Sequence, residues 1–425
     1  MKIHIKHGRL IDPRHQIDNI TDLYIAAGKV VSIGREPEGF HANRTIDASN
    51  RVVCPGLIDL SARLREPGFE HKATLESEMQ AAAAGGVTSL VCPPDTDPPL
   101  DEPGLVEMLK YRAKGLNLAR VYPLGALTQK LTGERLTEMT ALHRAGCVGF
   151  SQADTQIVDT LLLARALEYA ATFGFPVWLR PQDPYLAKKG VAHEGAVATR
   201  LGLRAIPTAA ETIALSTILL LVRETRARVH LCRLSSREAV DMVRRAKHDG
   251  LPITCDISIN HAHLSEEDIG FFDSNCHLVP PLRSSRDRDA LRAALAEGTV
   301  DALCSDHAPV DDDAKQLPFA EAEAGATGLE LLLPLTMKWA SESGVPLIQA
   351  LARITSEPAR ILGLDNGHLA VGHAADLCIF DPAGTKAIDA KSLKSQGKNT
   401  PFLGQTLPGK VHLTMVEGHV VFEAP

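Results

Sequence analysis

Residues Pro55–Gly68 read PGLIDLSARLREPG. Gly56–Leu60 is a short apolar run with a proline before it and polar residues after it, the pattern of a buried strand. Ser61, Arg63 and Arg65 follow directly. An arginine has no lone pair to offer a metal and carries a fixed positive charge. Arg63 would therefore repel a dication held at the end of this strand.

Seven further segments repeat the pattern downstream: Thr88–Val91, Arg120–Pro123, Val148–Phe150, Pro176–Leu179, Val229–Leu231, Ile253–Cys255 and Ala302–Cys304. Helical periodicity separates many of them, as in Leu75–Ala84, Thr160–Thr172, Glu211–Thr225 and Arg237–Lys247. The glycines at 85 and 86 stand where a helix should stop before a strand. Eight strands alternating with helices over roughly 300 residues predict an α/β fold, a (β/α)8 TIM-type barrel, with its site at the carboxyl ends of the strands.

The chain ends read differently. KIHIKHGRLID, DLYIAAGKVVSIG and RTIDASNRVVC alternate as strands, and HLAVGHAADLCIFD and VHLTMVEGHVVFE resemble them. A small β-sandwich built from both termini is expected, with residues 1–54 and 363–425 contributing its two parts around a barrel spanning 55–362.

Composition narrows the function. Of 425 residues, 44% are hydrophobic and 23% charged, ordinary for a globular chain. A formal charge of −7, with no basic block, argues against nucleic acid. Apolar runs such as Ile213–Val222 are too short to span a bilayer, and the N-terminus lacks a signal-peptide apolar core. The eight cysteines form no CxxC pair and mostly sit in apolar strands, as expected of reduced core thiols in a cytoplasmic protein. Cys304 has that bland reading. Ser61 lacks a nucleophile elbow or a neighbouring histidine base, and no GxGxxG or P-loop occurs. The run Asp311–Asp313 reads as a solvated loop.

Several motifs together resemble the cyclic amidohydrolases, most closely dihydroorotase: LREPG (64–68), AAAAGGVTSLVCPP (81–94), HEG with LGLRAIPTAAET (193–212), PPLRSSRDRDAL (280–291), DALCSDHAP (301–309), AGATGLE (324–330) and NTPFLG (399–404). The resemblance covers nearly the whole chain and implies a zinc site at the barrel mouth. At the positions it would use, this sequence departs. The His-x-His pair is replaced by Ser61 and Arg63. FSQAD puts Ala153 where the family has a metal-binding aspartate. Arg180 in RPQD and Arg233 in HLCRLS stand in place of histidines, although His230 remains. Only Asp306, in SDHAP, is kept, so five of six positions differ and three have become arginine.

Substrate-reading positions have changed too. Arg65 is retained, but the family asparagine that would assist it is Asp95, the asparagine before PPLR is Val279, and the histidine ending DHAPH is Val310. Arg65 is expected to form a structural ion pair with Glu66 or Asp95. A replacement ligand set from His230, His261 and His263 does not recreate a facial site by its spacing. The zinc site is thus expected to be lost, with no cofactor.

Charged side chains in a barrel mouth need partners. One of Arg63, Arg180 and Arg233 is expected to pair with Asp306, filling the former metal space. A second reading makes the arginines an anion site for phosphate or carboxylate. At the level of function, the resemblance points to inactive dihydroorotase-like chains that associate with aspartate carbamoyltransferase catalytic chains, typically as a mixed dodecamer of six plus six. It implies an assembly subunit of pyrimidine biosynthesis that self-associates, with neither nucleic acid nor membrane as partner. The alternative is an active cyclic amidohydrolase with a divergent or metal-free site, in which Asp306 serves as general base. A weaker alternative is an anion sensor acting on a partner.

Overall fold

A computed structural model describes residues Met1–Pro425. Eight parallel strands form the barrel: Leu57–Asp59, Val87–Cys92, Arg120–Ala126, Gly149–Ser151, Val177–Leu179, Val229–Leu231, Ile253–Ser258 and Ala302–Cys304. They pair strictly in chain order. The first and last come together just beyond their ends, where Ala62 bridges His307 in parallel. Both faces of these strands are covered, so they read as continuous apolar runs instead of alternating ones. Val87–Cys92 is buried throughout.

The outer helices are set by local chemistry. Thr74 caps Leu75–Ala84 through a reciprocal pair of bonds with Ser77, and Gly85 closes it. Helix Thr208–Thr225 starts three residues before its apolar pattern predicts, because Pro207 ends the preceding extended segment and pre-sets its entry. A core of 79 buried residues joins barrel and helices. The run of acids at 311–313 is not simply a loop. Asp311 accepts from the Asp313 N–H and caps the short helix Asp312–Gln316.

Strands from both chain ends make one eight-stranded network. Lys2–Asp12, Ile17–Ala26, Lys29–Ile33, Arg44–Asp47 and Val52–Pro55 come from the N-terminal end; Leu377–Ala387, Thr406–Val416 and His419–Glu423 come from the C-terminal end. Their seam is the antiparallel pairing of Val52–Pro55 with Leu377–Phe380, where Cys54 lies directly opposite Cys378. The chain passes from this sheet into the barrel at Gly56, whose N–H donates to Asp376 O at 2.9 Å. A Cβ there would stand 2.1 Å from Thr88 Oγ1, so only glycine fits the crossing. All eight cysteines are free. No helix is long and apolar enough to cross a membrane.

Candidate functional site

The carboxyl ends of the strands deliver three arginines and three aspartates to one place. Arg63 Nε donates to Asp95 Oδ2 at 2.7 Å and its Nη2 to Asp154 Oδ2 at 2.6 Å. Arg180 Nε donates to Asp154 Oδ1 at 2.7 Å, its Nη2 to the Asp154 carbonyl at 3.0 Å, and its Nη1 to Gln182 Oε1 at 2.5 Å. Arg233 Nη2 donates to Asp154 Oδ1 at 2.5 Å, and its Nη1 to Asp306 Oδ1 at 2.9 Å. Arg63 Nη1 lies 3.8 Å from the same Asp306 oxygen.

The expected pairing of an arginine with Asp306 is therefore present, through Arg233. The centre of the cluster is Asp154, one residue beyond Ala153, the position that the family pattern assigns to a metal-binding aspartate. Ala153 carries φ 53°, a left-handed turn that aims the next side chain into the mouth. Charge balance was the available signal. Three arginines entering one mouth call for carboxylates, and Asp95, Asp154 and Asp306 are the acids that accept from them.

Electrostatics follow from the packing. Burial works against the Asp154 charge, but Arg233, Arg63 and Arg180 outweigh it and hold the carboxyl well below the usual range. Asp306 goes the other way, because burial exceeds the attraction of Arg233 and Arg63 and pushes it up. Asp59 rises to about 6, again by burial, partly offset by hydrogen bonds from Ser305. Three guanidiniums facing three carboxylates leave no surplus positive charge for an anion, which weakens the phosphate-site reading.

The acid and histidine behind the cluster are engaged as well. Asp256 accepts the Arg233 N–H at 2.7 Å and lies 2.9 Å from His230 Nε2, while His230 Nδ1 lies 2.8 Å from Thr254 Oγ1. The rings of Trp178 and His230 pack 4.3 Å apart inside the barrel. Ser61 contributes backbone only, its carbonyl accepting the His307 N–H at 3.0 Å. The Val279 carbonyl accepts from Arg233 Nη1 at 3.2 Å. Val310 is buried, and its N–H donates to Asn399 Oδ1 at 3.0 Å.

Arg65 differs from expectation. It pairs with neither Glu66 nor Asp95. Its Nε donates to the Pro309 carbonyl at 2.9 Å and its Nη2 stands 3.9 Å from Glu323. The physical reason is competition: Asp95 is taken by Arg63, and Glu66 turns to accept the Leu75 N–H at 2.8 Å and to pair with Arg112.

These residues do not fit a zinc ion. Such a site needs several unprotonated imidazole nitrogens and free carboxylate oxygens about 2.0–2.2 Å from the metal, plus an open position. Here Asp154 is filled by guanidinium N–H groups and Asp306 is paired with Arg233. Both nitrogens of His230 are partnered. His261 Nε2 donates to the Pro281 carbonyl at 3.1 Å and His263 Nε2 to the Leu335 carbonyl at 2.8 Å, so the two rings serve separate backbone sites. One trio of potential ligands exists elsewhere, Asp365, His368 and His373. Arg14 already binds Asp365 at 2.9 Å, and His368 Nδ1 accepts the Ala370 N–H at 3.2 Å. That bond places the His368 proton on the nitrogen a metal would need.

Comparison with known proteins agrees with the barrel motifs. Residues 50–239 match the dihydro-orotase-like family and residues 192–422 the amidohydrolase family. A dihydroorotase-like protein of Pseudomonas aeruginosa is 47% identical over 423 residues, covering 100% of both chains. One of Pseudomonas putida is 45% identical, covering 99% of each. A dihydroorotase of Geobacter sp. is 40% identical, covering 100% of each. Among solved structures, the L-hydantoinase (dihydropyrimidinase) from Arthrobacter aurescens matches with TM-score 0.89 at 25% identity, covering 99% of this chain and 96% of its own.

Proposed function

This chain belongs to the dihydroorotase-like amidohydrolases, and we propose that within that family it is a non-catalytic subunit that supports assembly of aspartate carbamoyltransferase in the cytoplasm. The observation that carries the first half is the binding of Asp154 and Asp306 by Arg63, Arg180 and Arg233. Metal-assisted hydrolysis needs a Lewis acid and an activated water. The mouth holds instead an ionic cluster in which Asp95, Asp154 and Asp306 each accept from an arginine of the chain itself. Asp306, the one acid retained from the ligand pattern, has its Oδ1 held by Arg233 at 2.9 Å with Arg63 3.8 Å away, which ties it into the cluster.

The partner rests on the family resemblance, supported by a scaffold kept intact around an altered mouth. An assembly role needs the exterior of the barrel and leaves its mouth free to change.

The test has two arms. Chain purified from zinc-supplemented cells is expected to carry substoichiometric zinc and to turn over neither dihydroorotate nor carbamoyl aspartate, with or without added metal. Stoichiometric zinc, or turnover abolished by Asp306→Ala, would overturn the non-catalytic reading. Co-expression with an aspartate carbamoyltransferase catalytic chain is expected to yield one large co-eluting complex. Two independent peaks at micromolar concentration would remove the partner.

A further inference from the structure

The outer layer of the barrel is not closed everywhere. Helices Thr160–Phe173 and Thr208–Thr225 flank the fifth strand, Val177–Leu179, and a cavity of about 120 Å³ remains between them. Its apolar floor is Leu163, Leu179 and Ile218, all buried. Val158, Tyr185 and Ile213 line it too and are exposed, so they form the rim. Arg65, Asp95 and Asp306 take no part in the lining. The cavity therefore lies outside the mouth, with Arg180 as the wall between the two.

Two loops border the cavity, and hydrogen bonds fix both. After the fourth strand, the Thr155 N–H and Oγ1 donate to the Gln152 carbonyl at 3.1 and 2.6 Å. After the fifth, the Asp183 N–H donates to the Ala210 carbonyl at 2.6 Å, which ties this loop to helix Thr208–Thr225. Asp183 Oδ1 accepts the N–H groups of Tyr185 and Leu186, each at 2.9 Å. The space is thus formed before any ligand enters, and filling it orders little of the chain.

The polar lining selects the ligand. Arg180 Nη1 donates to Gln182 Oε1 at 2.5 Å, so the free end of this amide is Nε2, whose two hydrogens have no acceptor in the chain. Asp183 Oδ2 has no donor in the chain either. The Arg180 charge is answered by Asp154, and Asp183 adds an unpaired carboxylate, so the lining opposes an anion. It offers one hydrogen-bond donor and one acceptor beside apolar walls. An apolar cavity of about 150 Å³ holds benzene, and a slightly smaller one that opens at a rim suits a single six-membered ring. We propose that this cavity is a binding site for a small uncharged ring bearing an amide, such as an aromatic carboxamide. The ring packs among Leu163, Leu179 and Ile218, its carbonyl accepts from Gln182 Nε2, and its N–H donates to Asp183. This inference is independent of whether the barrel mouth is catalytic.

Benzamide titrated into the full chain, with its isoleucine methyl groups carbon-13 labelled, is the direct test. Ile157, Ile213 and Ile218 line the cavity and should shift saturably at millimolar benzamide, while Ile58 inside the barrel stays in place. Benzoate, the same ring with a charged carboxylate, should bind at least tenfold more weakly. Ala214→Leu fills the cavity from a half-buried position on helix Thr208–Thr225 and should abolish the shifts, with far-UV circular dichroism unchanged. If that variant fails to fold, the methyl map of the parent chain decides. Absence of saturable shifts at millimolar benzamide overturns the proposal, as do shifts centred on Ile58 or a folded Ala214→Leu chain that still binds. Benzoate binding as tightly as benzamide overturns it too. Methyl shifts are read separately from zinc content and turnover, so failure here is distinguishable from failure of the non-catalytic reading.

Discussion

Asp154 Oδ1 lies 2.5 Å from Arg233 Nη2, a contact between residues 79 positions apart that fixes the centre of the barrel mouth. Arg233 reaches Asp306 with its other terminal nitrogen, so the acid retained from the ligand pattern and the acid beside the altered one are tied together by a single guanidinium. Arg63 and Arg180 complete the ring around Asp154. Such a cluster is expensive to break from one side, because the remaining charges stay in the mouth without partners.

Asp154→Asn should therefore destabilise the chain by about 2–4 kcal/mol, somewhat less than the 3–5 kcal/mol of fully buried pairs, because 34% of the Asp154 side chain faces solvent. The denaturant midpoint measures this. A change within 0.5 kcal/mol would mean that the three arginines are adequately solvated without it.

The pH dependence should separate Asp154 from Asp59. Asp154 is held below its ordinary value of 3.8 in the folded state. Its contribution is complete above that value and is lost as pH falls through the folded one. The stability gap between the parent chain and Asp154→Asn should hold steady from neutrality to about pH 4 and narrow below it. Asp59 is raised from 3.8 to about 6, so its contribution is complete in acid and lost as pH rises between those values. Relative to the parent, Asp59→Asn should gain over that window and level off above it. Denaturation series at fixed pH values test both slopes, and equal slopes would refute the assignment.

Restoring the paired histidines, Ser61→His with Arg63→His, should not restore zinc. Arg180 and Arg233 would still occupy Asp154, and Ala153 would still offer no ligand. Elemental analysis is expected to remain substoichiometric, with no turnover of dihydroorotate.

The charge-neutral mouth predicts indifference to small anions. Millimolar phosphate should leave the melting temperature unchanged beyond the effect of ionic strength, which an equal concentration of chloride controls. A phosphate-specific rise would indicate an uncompensated guanidinium.

A second buried acid ties the C-terminal segment to the barrel. Glu78 accepts from His307 Nε2 at 2.7 Å and from Ser395 Oγ at 2.6 Å, and all three residues are buried. His307 Nδ1 accepts the Gly328 N–H at 3.1 Å, which places its proton on the nitrogen facing Glu78. Glu78→Ala should cost about 2–4 kcal/mol, since it leaves that donor and the Ser395 hydroxyl unsatisfied. Proteolysis of the segment near Ser395 should accelerate in parallel.

Much of this was legible in the sequence. Short apolar runs and helical periodicity located all eight barrel strands, because buried parallel strands are continuous in hydrophobicity and need no long-range information to be seen. Arg63, Arg180 and Arg233 were visible as chemistry hostile to a dication, since that property belongs to the side chain itself. The alternating ends announced strands of a different kind. What determined these features was local: residue type, spacing and turn chemistry.

Tertiary structure decided the partners. Asp154 became the hub because the left-handed turn at Ala153 re-aims it and because strands four, five and six converge at one rim. Arg65 went to Pro309 because Arg63 had already taken Asp95. Cys54 met Cys378 because the two chain ends share one seam. Each outcome depends on which groups compete for the same space once distant segments are packed, and pairwise competition of that kind is not written in the order of residues.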